Sequence, residues 1–381
     1  MPGRVVKRAY KYRFYPTDQQ RDLLNRTFGC VRYVYNRALA ERHRAWFQEQ
    51  RRVGFAETCR MLTAWKQEPE TAWLSEVSNV ALQQSLQHLQ RAYLNFWGKR
   101  AKYPTFKSKR RSRASATFTT MGFSYRDGRI KLAKCDEPLD IVWSRPLPEG
   151  ATPSTVTVSR DPADRWHISV LVEETIEALP PAATAVGIDA GVTALVTLST
   201  GEKVVNPKHE KRDRDRLARA GRALSRKEKG SRNRAKARVK VARVHARIAD
   251  RRRDLLHKLS TRIIRENQTV VIEDLAVRNM VRNHSLARAI HDASWSELRR
   301  QLEYKADWYG RTVITVDRFY PSSKTCSACG RMAVTMPLRV RTWTCAGCGV
   351  VHDRDVNAAI NILAAGLAVS VSGDGVRPAR A

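Results

Sequence analysis

The chain has no uninterrupted apolar run approaching the roughly eighteen residues that a membrane-spanning helix requires. No signal peptide is recognisable, so an integral membrane role is excluded and a cytoplasmic location is expected. Acidic residues are scarce: 37 Asp and Glu face 70 Lys and Arg, a net charge of +33 on 381 residues. No ordinary metabolic enzyme needs that excess, whereas a polyanion would neutralise it, so nucleic acid is the expected partner. An anionic membrane surface is the weaker alternative. Cysteine is also sparse, and of the seven present Cys30, Cys59 and Cys135 are scattered at spacings that exclude a disulfide framework. They read as ordinary buried thiols. With 42% hydrophobic residues the chain can build true cores, and its length suggests about two or three domains.

The remaining four cysteines form two CxxC knuckles, CSACG (326–330) and CAGCG (345–349), with fifteen residues between Cys329 and Cys345. That spacing lets the knuckles fold over one another and present Cys326, Cys329, Cys345 and Cys348 tetrahedrally to one zinc ion. Gly330 and Gly349 permit the tight turns that aim backbone amides at sulfur. Four thiolates leave no coordination position for water, so the zinc is read as structural.

Residues 5–15 (VVKRAYKYRFY) alternate as a strand with one wet face, which Pro16 stops. Thr17 or Asp18 can cap a helix reaching about Gln48. Ser78 or Asn79 opens another, whose Leu82, Leu86, Leu89, Tyr93 and Phe96 recur at steps of four and three as a core stripe. The basic stretch 98–118, interleaved with Tyr103, Phe106 and Phe118, suits an extended loop gripping a nucleic-acid backbone through Lys107, Lys109, Arg110 and Arg111; a solvated linker is the alternative. Short alternating segments from Gly128 to Ala178 read as antiparallel strands, able to join the N-terminal strand in one β-unit. Pro180 and Pro181 make a plausible boundary.

Beyond it the order is strand, hairpin, long helices, strand, helix, strand, knuckles and helix, an α/β arrangement. Residues 211–265 hold 22 Lys and Arg against 5 acids, and Gly230 and Ser231 divide them into two helices. Val241, Val244, Ile248, Leu255, Leu259 and Ile263 give the second helix an apolar face. Its arginines, Arg251, Arg252 and Arg253 among them, then point outward to nucleic-acid phosphates.

Three acids stand at strand ends or a helix start: Asp189 in GIDAG, Glu273 in TVVIEDL, and Asp355 at the opening of a 357–365 helix. Gathering buried carboxylates is unfavourable unless cations compensate. Mg²⁺ is the natural compensator, and two such ions can activate water and stabilise the leaving oxygen of a phosphodiester. Asp353 reads instead as a helix cap or salt-bridge partner.

Taken together, GIDAG, VVIEDL, the paired knuckles and DRDVNAAINIL resemble the TnpB proteins of bacterial insertion sequences, a family regarded as ancestral to type V CRISPR effector nucleases. YKYRFYPT (10–17), YPTFKSKRR (103–111), HARIADRRRDLLHKLS (245–260), FYPSSKTCSACG (319–330) and RTWTCAGCG (341–349) extend the likeness over most of the chain. The resemblance implies a multidomain α/β, RNA-guided DNA endonuclease with catalytic Asp189, Glu273 and Asp355 in an RNase H-like (RuvC) domain. The metal-binding aspartate of the family pattern lies two residues before an asparagine, which selects Asp355 before Asn357 over Asp353. The implied layout is a wedge-like β-barrel (1–16 and 119–180) interrupted by a helical recognition domain (17–118), a RuvC-like domain (181–320 and 350–368), a zinc ribbon (321–349) and a flexible tail (369–381). One zinc, two Mg²⁺, a guide RNA from the transposon end and target DNA beside a short flanking motif are the implied cofactors and partners. A monomeric, nucleoid-associated protein is expected. Base pairing by a guide would explain a large cationic excess without a helix-turn-helix or basic-zipper signature. Three competing readings are a cleavage-deficient RNA-guided repressor, a strand-joining transposase on the same fold, and a structural zinc-ribbon RNA-binding protein.

Overall fold

The computed structural model describes residues 3–337 and 339–372. The chain divides into two units, Val5–Glu174 and a second that runs from Thr175 onward and includes Arg4. The division therefore falls ahead of Pro180 and Pro181. Among the described residues no helix is long and apolar enough to cross a membrane.

In the first unit, strand β1 (Arg4–Tyr15) leads into helix α1 (Asp18–Glu49), α2 (Phe55–Trp65), a 3₁₀ segment (Pro69–Glu76) and α3 (Asn79–Trp97). Thr17 caps α1 through a reciprocal box, its side chain accepting from the Gln20 amide while Gln20 reaches back to the Thr17 amide. Val34, Ala38 and Leu39 of α1 pack with Leu62, Leu74, Leu82, Leu86 and Leu89 in a helical core. Then come β2 (Ala114–Thr119), β3 (Phe123–Arg126), β4 (Arg129–Leu132), β5 (Asp140–Val142), β6 (Thr155–Arg160) and β7 (Trp166–Ile176). One five-stranded sheet has the order β2-β6-β7-β1-β5, so the N-terminal strand does join the later ones across the inserted helices. The β3–β4 hairpin turns on Asp127 and Gly128, both at positive φ (49° and 71°), the conformation a two-residue turn of this hand demands. Because β2 pairs with β6 from Ala114 onward, the last part of the basic stretch 98–118 is ordered strand rather than loop.

The second unit carries a mixed sheet. Strands β8 (Ala185–Ala190), β9 (Ala194–Leu198) and β10 (Lys203–Val205) form an antiparallel meander. Helices α4 (His209–Ser225) and α5 (Arg232–Glu266) then lead to β11 (Thr269–Glu273), which lies parallel to β8. After α6 (Val277–Met280), α7 (Ala287–Ala293) and α8 (Trp295–Tyr309), β12 (Thr312–Val316) adds parallel to β11, giving the order β10-β9-β8-β11-β12. A small hairpin, β13 (Thr342–Thr344) and β14 (Val351–Asp353), precedes α9 (Arg354–Ser372). Since α9 continues to Ser372, residues 369–372 are helical rather than tail, and 373–381 lie outside the described residues.

Strand periodicity sorts this sheet into two faces. Val186, Ile188, Val270 and Ile272 pack with Leu256, Leu259 and Ile263 of α5 and Leu298 and Leu302 of α8. Val271, Ile314 and Val316 face the other way, onto Ile362 of α9. Gly187 sits under that helix, where an added Cβ would meet the Ala359 carbonyl oxygen at 2.1 Å and the Leu363 nitrogen at 2.7 Å. Gly187 therefore lets the α9 backbone rest directly on β8.

Candidate metal centres

Alternation along β8 and β11 decides where the acids go. Ile188 and Ile272 are register partners on the α5/α8 face, so the next residue of each strand, Asp189 and Glu273, turns toward α9. Asp355 stands in the first turn of that helix, which Gly187 allows to lie close. Asp189 thus lies within electrostatic reach of both Glu273 and Asp355. Burial, followed by the charges of Glu273 and Asp355, pushes the Asp189 carboxyl up to about 7. Burial likewise raises Glu273, which accepts a hydrogen bond from Ser322 Oγ at 3.4 Å. Arg341 reaches Asp355 at 3.4 Å. Three carboxylates of this kind are hard oxygen donors, and such a donor set fits a hard divalent cation.

Asp353 is occupied otherwise. Its Oδ1 accepts from the Asp355 and Val356 amides, both at 3.1 Å, capping α9, and its Oδ2 pairs with Lys203 at 2.6 Å. Burial alone would raise its pKa, but Lys203 and the two amides hold it below the ordinary carboxylate value.

The knuckles are near-copies of one another. In the first, Cys326 N bonds Arg331 O and Gly330 N bonds Cys326 O, each at 2.9 Å; in the second, Cys345 N bonds Val350 O and Gly349 N bonds Cys345 O, again at 2.9 Å. Gly330 and Gly349 have φ of 75° and 72°, a region costly to any residue with a Cβ. The four sulfurs all lie within 4.8 Å of one another, the one such metal-ligand cluster among the described residues. Cys326–Cys348 and Cys329–Cys345 are 3.7 and 3.6 Å apart, close to the roughly 3.8 Å edge of a tetrahedron with Zn–S bonds of about 2.3 Å. Amides of Gly347 and Cys348 pull the Cys345 thiol down to about 6, toward the thiolate a metal binds. The cluster is compatible with zinc.

Several residues here escaped the sequence reading. Buried His352 places Nε2 3.0 Å from Cys326 Sγ and packs its ring against Trp343. Ser322, Asn357 and Asn361 are buried and hydrogen-bonded at the junction of knuckle and helix. Asn357 carries a sequence signal in its place two residues after Asp355, whereas for Asn361 the only signal is its i,i+4 spacing from Asn357 on an otherwise apolar helix.

The cations divide into two groups. Lys109, Arg110, Arg111 and Arg253 are exposed. Lys107 instead lies over the Tyr35 ring, 3.8 Å from its centroid, with its pKa pushed down by burial. Arg251 pairs with buried Asp213 at 2.8 Å and Arg252 with buried Asp292 at 2.6 Å, so both tie α5 to neighbouring helices rather than facing outward. Arg253 pairs loosely with Asp250, at 3.7 Å.

Comparison with known proteins bears on the same regions. A protein of Streptomyces pristinaespiralis, provisionally named an RNA-guided DNA endonuclease, is 65% identical over 98% of this chain and 93% of its own. The chain belongs to the TnpB family. InsQ of Escherichia coli K12, provisionally named in the same way, is 36% identical over 98% of this chain and 95% of its own. Residues 167–284 match the family model of IS605 OrfB, described as a probable transposase, and 295–362 match the Cas12f1-like TNB domain. Residues 1–51 match a model described as a helix-turn-helix domain, yet the structure there is one strand and an unbroken 32-residue helix. A solved structure of Cas12f1 with single guide RNA and target DNA covers 94% of this chain and 98% of its own at 13% identity, with a TM-score of 0.58; the likeness is one of fold. That its relatives are named endonucleases supports a nuclease.

Proposed function

We propose that the protein is an RNA-guided, Mg²⁺-dependent DNA endonuclease that cuts target DNA beside a short flanking motif, with Asp189, Glu273 and Asp355 as its catalytic residues. The observation that carries this reading is the convergence of Asp189 and Glu273, at equivalent ends of neighbouring parallel strands, with Asp355 in the first turn of the helix laid across them. A protein does not gather three acids beneath a helix for stability, because their mutual repulsion costs it. The strand order β10-β9-β8-β11-β12, with α9 across its far face, supports an RNase H-like (RuvC) assignment for the second unit. The β2-β6-β7-β1-β5 sheet with helices inserted after β1 supports the wedge-like barrel and recognition domain, with the barrel now taken from Ala114.

Asp189, Glu273 and Asp355 would hold the cations. Bound there, two Mg²⁺ would supply Lewis-acid activation of water and charge stabilisation at the leaving oxygen. The chain's own part is to fix these carboxylates on rigid strands and a capped helix, so that little reorganisation is needed at reaction. Ser322 orients Glu273, Arg341 steadies Asp355, and Asp353 caps α9 without joining the centre. Exposed Lys109, Arg110, Arg111 and Arg253 are proposed to contact phosphates, and base pairing by a transposon-end guide to supply sequence. The protein would act as a monomer in the cytoplasm, at the nucleoid when on DNA.

The test is a reconstituted complex with RNA co-purified from a host carrying the flanking locus, given target DNA and Mg²⁺. Asp189→Ala, Glu273→Ala and Asp355→Ala should each abolish cutting while guide-dependent binding persists; Asp353→Ala should be milder. Loss on Asp353→Ala with none on Asp355→Ala overturns the assignment, and joined rather than hydrolysed ends would make the protein a strand-joining transposase.

A further inference from the structure

Between the first knuckle and the nuclease centre lies a buried polar junction that neither metal site uses directly. Asn357 and Asn361, one turn apart on α9, are 1% and 5% exposed. Asn361 Nδ2 donates to the carbonyls of Ser322 at 2.8 Å and Thr325 at 2.6 Å. Asn357 Nδ2 donates to Thr325 O at 2.8 Å, while its Oδ1 accepts from the Ser327 amide at 2.9 Å. The two side chains thus satisfy main-chain groups of the 322–327 loop, which begins at Ser322 and contains Cys326. Ser322 is 5% exposed, and its hydroxyl is the one that reaches Glu273.

We infer that Asn357 and Asn361 are positioning residues: they clamp the Cys326 loop to α9 and, through Ser322, set the Glu273 carboxylate against the helix that carries Asp355. The inference deepens the nuclease reading, since it assigns how the two metal centres communicate. Its physical basis is that buried main-chain carbonyls left without donors cost free energy, so the loop cannot leave α9 without stranding Ser322 and Thr325. Glutamine would not serve, because its longer side chain would push the loop away from a helix already seated on β8. Aspartate at 361 would set a carboxylate against two carbonyl oxygens. Ser322 is where the path divides: its carbonyl belongs to the clamp and its hydroxyl to Glu273, so the two roles can be separated by mutation.

The experiment uses zinc-loaded full-length protein with two readouts that do not require cutting: the rate of zinc transfer to a chromogenic chelator, and Mn²⁺ affinity from an electron paramagnetic resonance titration. Ser322→Ala should leave zinc transfer unchanged but weaken Mn²⁺ binding about tenfold, the scale of losing a partner that orients a metal-binding carboxylate. Ser322→Thr, which keeps the hydroxyl, should restore it. Asn361→Asp should speed zinc transfer at least about tenfold and weaken Mn²⁺ binding as well; Asn357→Asp, which keeps the acceptor for Ser327, serves if Asn361→Asp does not fold. Wild-type Mn²⁺ affinity in Ser322→Ala, or wild-type zinc transfer in the asparagine variants, overturns the inference. A wild-type protein that binds Mn²⁺ but never cuts guided DNA would defeat the nuclease reading alone.

Discussion

Asp189→Asn should make the magnesium-free protein more stable, and only above a definite pH. Burial first, then the charges of Glu273 and Asp355, push the folded carboxyl up to about 7 from its ordinary 3.8. Between those limits the folded state keeps a proton that the unfolded chain has released, so the unfolded state binds fewer protons and stability falls as pH rises. Well below 3.8 both states are protonated and the penalty vanishes. Above 7 it is fully present, and at about 1.4 kcal/mol per unit it amounts to at most about 4 kcal/mol. Asp189 is partly exposed, so solvent screening reduces this to about 2–4 kcal/mol, still a large part of a typical domain's stability. Asparagine keeps the shape without the charge. Urea unfolding of zinc-loaded, magnesium-free protein should therefore show Asp189→Asn ahead by about 2–4 kcal/mol at pH 8, by about a third of that at pH 5, and by almost nothing near pH 3.5. Added Mg²⁺ should close the gap at pH 8 by stabilising wild type alone. A variant no more stable than wild type at pH 8, or equally advantaged at both pH values, would mean that the Asp189 carboxylate is not held in a buried site crowded by Glu273 and Asp355.

Gly187→Ala places a methyl 2.1 Å from a main-chain oxygen of α9, so unfolding measurements should show a loss of about 1–3 kcal/mol or more and cutting should fall as Asp355 is displaced. Cys326→Ser and Cys345→Ser should reduce zinc per chain from about one toward zero, while Cys30→Ser and Cys135→Ser leave it unchanged; structural zinc contributes about 10 kcal/mol or more in isolated fingers, so the knuckle variants should also cut poorly. Arg252→Ala strands buried Asp292 and should cost about 3 kcal/mol of stability, whereas Arg253→Ala should leave stability intact and flatten the dependence of RNA affinity on salt. The reverse pattern for that pair would reassign which face of α5 meets nucleic acid.

The acids were legible because each ends an apolar strand or opens a helix, and a charge there has to face something specific. The cysteines were legible because ligand spacing and the following glycines are local properties. What charge counting could not reveal was the employment of individual arginines. Arg251 and Arg252 find partners 38 and 40 residues away in sequence, Asp213 and Asp292, and pairing across such distances leaves no trace in a local pattern. The apolar face of α5 is wider than its sequence pattern shows, for a related reason. Leu256 and Ile264 are buried where the pattern selected Leu255, because α5 meets the sheet and α8 together and its covered arc is broader than one stripe.

Gly187 shows why the meeting of the three acids could be expected from sequence without its cause being visible. A hydrophobicity pattern registers side chains, and the decisive feature of β8 is a missing one. Alternation alone sends Asp189 and Glu273 to the same face, but it says nothing about how closely a helix can approach that face. With a Cβ at 187 the α9 backbone would have to stand off from the strand, carrying Asp355 with it. At the other end of the contact Gly366 does the same service beneath Val271, where an added Cβ would meet a side-chain methyl at 2.3 Å. Two glycines, 179 positions apart by the chain numbering, thus seat one helix on the two strands whose ends carry Asp189 and Glu273. The distance from Asp355 to its partners is accordingly set by backbone packing, and a rigid backbone contact holds a charged side chain against its neighbours' repulsion where a flexible side-chain contact would yield.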